Sequence, residues 1–85
     1  MSEHKENILN VRHISSNISE AIEQLHKIQR SCQNSNYDPG EFLVDIQHAL
    51  YHLNFAFNAR FYSDNELEKL SEEGWEKLRL PPDIF

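Results

Sequence analysis

Glu41, Asp45, His48 and His52 follow one another at spacings of four, three and four residues, which sets them along one strip of a helix. Imidazoles at i and i+4 can share a divalent cation, and a carboxylate one turn earlier can be a third ligand. Residues 47–52 lack the glutamate of the H-E-x-x-H pattern, so the strip offers ligands without a general base. A di-iron bundle needs a Glu-x-x-His element on each of two helices. Glu23 with His26 is one such element, and Asp45 with His48 is a version with Asp for Glu, but no obvious pair of additional glutamates completes the set. The plainer account of His48 and His52 is a pair of exposed or interface histidines, and no cofactor is expected.

Asn54 and Asn58 lie one turn apart, and Arg60 is the only base between residues 31 and 68. Two amides beside a guanidinium can form an anion pocket. The simpler assignment pairs Arg60 with Glu20 or Glu23 on a neighbouring helix. Val44, Tyr51, Phe55 and Tyr62, with His48 among them, form an apolar side of the same helix. Aromatic residues anchor interfaces as readily as cores, so these five are assigned to a subunit interface, with cover by a third helix as the alternative. The serines are scattered, and two glycines leave no nucleophile elbow or phosphate loop. No catalytic signature emerges.

Three helices must position these residues. The first is expected over about 7–33, where Val11, Ile14, Ile18, Ala21, Leu25, Ile28 and Cys32 recur at alternating spacings of three and four. The second, over about 39–61, starts from Asp38-Pro39-Gly40-Glu41, an N-cap and capping box with Pro at the first helical position. Its main stripe carries Phe42, Leu43, Ile46, Ala49, Leu50, Leu53, Ala56, Phe57 and Phe61, opposite the Val44–Tyr62 side. A helix apolar on two sides is sandwiched. The third, over about 64–79, opens with the Ser63/Glu66 capping signature, is expected to bend or break at Gly74, and stops at Pro81-Pro82. An apolar tail, Ile84-Phe85, is expected to dock. The short link from 33 to 38 makes helices one and two antiparallel neighbours.

The whole, 1–85, reads as a single helical domain. Thirty-nine per cent hydrophobic and 26% charged residues exclude disordered and collagenous classes, and no apolar run is long enough to span a membrane. The net charge of −6 arises from a neutral stretch over 1–37, −2 over 38–62 and −4 over 63–85. Phosphate backbones reward clustered bases, so nucleic acid is not an expected partner. A lone Cys32 and a polar N-terminus point to the reducing cytoplasm. One long helix, a tight loop, a second long helix and a short third resemble the outline of the copper-sensing helical repressors. Their metal site uses cysteines on helix two; helix two here has none, and that function is not carried over.

These features lead to an all-α, three-helix domain built on a long antiparallel hairpin that dimerises into a four-helix-bundle core. The expected role is a cytosolic interaction or accessory protein acting as a homodimer. A metal-binding sensor or enzyme using Glu41, Asp45, His48 and His52 is one alternative. A monomeric module that binds a helix of a larger partner is the other.

Overall fold

Asn10 fixes where the first helix begins. Its side-chain oxygen accepts from the His13 N–H at 3.0 Å, the cap that an exposed first turn requires. Its own N–H donates to the Arg60 carbonyl at 2.7 Å, and its side-chain nitrogen donates to the Tyr62 carbonyl at 2.8 Å. These bonds tie the start of the chain to the end of the second helix. The computed structural model describes residues 8–82 and places α1 at Val11–Ser31, inside the expected 7–33. Cys32 is the C-cap and is exposed, so it does not extend the buried seam. Ile84 and Phe85 lie outside the described residues.

Helix α2 spans Pro39–Asn58. Asp38 caps it through the Glu41 N–H at 3.1 Å, with Pro39 in the first turn. Only this half of the expected capping box forms among the described residues. Helices α1 and α2 pack as an antiparallel hairpin. Lys27 reaches Asp45 at 3.4 Å near the loop, Asn17 meets His52 at 2.9 Å midway, and Asn10 meets Arg60 at the open end.

The expected third helix is two helices, α3 at Asp64–Glu68 and α4 at Glu72–Leu78. Among the described residues the architecture is all-helical, with four helices. Ser63 and Glu66 form the complete capping box. The break falls at 69–71, ahead of Gly74, because Ser71 starts a new helix by accepting from the Gly74 N–H at 3.0 Å. Glu72 and Glu73 then sit in the first turn, where the helix dipole favours acids. Gly74 lies within α4, where a Cβ would come 3.2 Å from Leu70 Cδ2.

The seam between α1 and α2 is turned from the one the periodicity suggested. Ala21, Ala49, Ala56 and Ala59 are its most buried residues, with Ile28 and Asn17 beside them. Small side chains let the two backbones approach, and the large aliphatic residues are displaced to one flank. Ile18, Ile22 and Leu25 of α1, and Leu43, Leu50 and Leu53 of α2, remain 37–56% exposed. The other flank of the hairpin carries α4, with Trp75 against Phe55 at 4.6 Å between ring centroids. No helix of the described residues is long and apolar enough to cross a membrane.

Candidate functional site

Asn17 is the most buried polar residue described, and a cleft is built around it. Its side-chain nitrogen donates to the His13 carbonyl at 3.2 Å, which fixes the orientation of the amide. The amide oxygen then faces His52 Nδ1 at 2.9 Å and can only accept, so Nδ1 carries the proton of a neutral His52 ring. His13 packs edge-on against Phe55 at 4.6 Å, and His48 stacks on His52 at 5.1 Å. Burial holds the pKa of His13 below its ordinary value, against the opposing pull of Asp64. Burial likewise lowers that of His52, helped by the His48 and Arg79 charges and opposed by Glu20.

The cleft has a volume of about 330 Å³. Helix α1 supplies His13, Ser16, Asn17 and Glu20; α2 supplies His48, Tyr51, His52 and Phe55. Trp75 of α4 and Arg79 just beyond it complete the wall. The Arg79 guanidinium lies over the Tyr51 ring at 5.1 Å.

The five residues assigned to an interface are divided. Phe55 is buried within the chain beneath His13 and Trp75, and Tyr51 is half-buried under Arg79. The cover over these two therefore comes from the chain itself. Tyr62 is half-buried at the open end of the hairpin, while Val44 and His48 are exposed.

The strip Glu41, Asp45, His48 and His52 does not gather on a common point. Glu41 is exposed, and Asp45 accepts from Tyr37 Oη at 2.6 Å and from Lys27. That hydrogen bond lowers the Asp45 pKa and pushes the Tyr37 hydroxyl up to about 12. Glu23 and His26 are exposed on α1. Among the described residues no three His, Cys, Asp or Glu side chains are placed to hold a metal ion.

Asn54, Asn58 and Arg60 serve different partners. Asn54 donates to the Arg79 carbonyl at 3.0 Å, and Asn58 donates to the carbonyls of Leu78 and Leu80, both at 2.8 Å. Together they satisfy the open carbonyls at the end of α4. Arg60 donates to the Phe57 carbonyl at 2.7 Å and lies over the Phe57 and Phe61 rings. Among the described residues it forms no ion pair with Glu20 or Glu23.

Sequence reasoning named the α2 members of the cleft, and Trp75 as an aromatic residue alongside Tyr51 and Phe55, but not His13, Asn17, Glu20 or Arg79 as a group with them. The available signal was Asn17, a polar residue three after Ile14 and four before Ala21 on a helix face otherwise apolar. Comparison with protein-family models, curated proteins and solved structures finds no match to this chain.

Proposed function

We propose that the chain is a small helical interaction protein that works as a symmetric homodimer. The observation that carries this is the bare flank of the hairpin, with Ile18, Ile22, Leu25, Leu43, Leu50 and Leu53 exposed on the side away from α4. Monomers rarely expose continuous apolar patches beyond a few hundred Å². Helices of 21 and 20 residues, each about 30 Å long and set about 10 Å apart, present roughly 600 Å² per chain. Two such faces bury about 1,200 Å², the lower end of a stable interface.

Charge selects the occupant. The chain carries −6 overall, yet these six positions include no charged residue. A second copy presents the same neutral stripe at the same length, and its acidic α3 and α4 then face outward. Two hairpins meeting in this way form a four-helix bundle with an isologous interface. The interface thus lies opposite Tyr51 and Phe55. The unpaired Cys32 fits a reducing compartment.

Sedimentation equilibrium tests the reading. The expected mass at micromolar concentration is twice the 10.1 kDa of the chain. Ile22→Glu with Leu50→Glu should give a folded, helical monomer, because both sites are already half-exposed in one chain. Val44→Glu, on the other flank, should leave the dimer intact. A wild-type chain that stays monomeric at high concentration overturns the proposal.

A further inference from the structure

We propose that the cleft between α1, α2 and α4 binds a small aromatic zwitterion of the amino-acid class, its ammonium group at Glu20, its carboxylate at Arg79 and its ring beside Tyr51 and Trp75. The cavity, about 330 Å³, lies at the lower end of the size range of small-molecule sites. It opens on the flank of the hairpin that carries α4, so a dimer formed through the bare flank leaves it accessible.

Its charges are the discriminating feature. Glu20 and Arg79 both line the cleft, and His52 feels the charge of each. Neither forms an ion pair among the described residues, with the other or with any other group. Arg79 is held by its stacking on Tyr51, which leaves the edge of the guanidinium to meet a carboxylate in the two-pronged manner that suits its planar fork. Between the two charges lies a neutral floor, in which Asn17 bonds His13 and His52. An anion placed here meets Arg79 but is repelled by Glu20. A cation meets the reverse. A dipolar molecule satisfies both, and its own net charge of zero matches that of the pair.

The walls select the remainder of the ligand. Trp75 packs on Phe55 and still exposes 41% of its surface, an unusual state for a tryptophan in a chain that has one. It lines the cleft together with Tyr51, so a ligand ring placed beside them gains aromatic contact and desolvation together. The Asn17 network keeps the floor fixed before binding, which lowers the ordering cost of recognition.

Trp75 is also the reporter. L-phenylalanine is titrated into the full chain while indole emission alone is followed. A saturable change is expected. Phenethylamine, which lacks the carboxylate, and hydrocinnamate, which lacks the ammonium group, should each bind about tenfold more weakly or worse, equal to about 1.4 kcal/mol. Arg79→Gln should weaken phenylalanine toward the level of phenethylamine and, because it removes a repulsive charge, leave phenethylamine bound no more weakly than before. Glu20→Gln should do the same with respect to hydrocinnamate. Sedimentation of both variants should match that of the wild type, which separates this result from the fate of the dimer proposal. No saturable response to L-phenylalanine at millimolar concentration, or equal affinity for all three probes, overturns the inference.

Discussion

Asn58 holds α4 against the hairpin with one amide nitrogen that donates to the carbonyls of both Leu78 and Leu80. These carbonyls belong to the negative end of a short helix, so a donor there is favoured and a second negative group is not. Asn58→Asp keeps the shape, removes both donors and sets a carboxylate against two oxygens. Two hydrogen bonds at about 1 kcal/mol each put the loss at about 2 kcal/mol or more. Urea unfolding should show that loss, and the Trp75 emission should shift red as α4 lifts from Phe55. An unchanged midpoint would remove Asn58 from any role in docking. The residue types at 54 and 58 were legible as significant, since two asparagines within one turn of a helix are uncommon choices. Their partners were not. The acceptors are backbone carbonyls 20 to 25 residues away, and a carbonyl leaves no mark in a sequence.

At the scale of elements, the cap residues decide where helices start. Ser71 divides α3 from α4 by accepting from the Gly74 N–H. Ser71→Ala should cost about 1 kcal/mol, while Ser71→Asp, an equally good cap, should cost much less. Chemical unfolding of the two variants side by side checks the difference; equal losses would mean the break has another cause. Asp38 and Ser63 were readable as caps because each precedes a clear apolar pattern. Ser71 was not, because the short α3 and α4 share one thin stripe that reads as continuous across them. The hairpin itself was readable from length and periodicity. Its rotation was not, since helix two has apolar residues on more than half its circumference and the pattern weights Ala and Leu alike. Close packing distinguishes them: alanines allow the nearest approach of α1 to α2, and the leucines are left on the flank.

Over the whole molecule, one flank of the hairpin is neutral and apolar while the other holds the imidazoles under α4, so acid should act on stability through the latter. His13 and His52 have folded-state pKa values below the ordinary 6.5, with burial the main cause for both. Around His13 stand Asn17, Phe55 and Asp64; around His52 stand Asn17, His48, Glu20 and Arg79. Between the lowered values and 6.5 the unfolded chain binds more protons than the folded one, so stability rises with pH through that window. It is complete above the unfolded value and declines on acidification. Asp45 acts in the same direction at lower pH. The Tyr37 hydrogen bond lowers its pKa below 3.8, so its contribution is present above that value and is lost as the pH falls beneath it. Thermal melts followed by circular dichroism should therefore show Tm falling from about pH 7 to about pH 5, and falling again below about pH 4. His13→Phe keeps a ring against Phe55 and cannot titrate. It should reduce the slope of the upper window to the share of His52 and leave the lower one intact, whereas Asp45→Asn should flatten only the lower. A Tm constant between pH 7 and 5, or a slope unaltered by His13→Phe, would show that His13 does not link folding to pH.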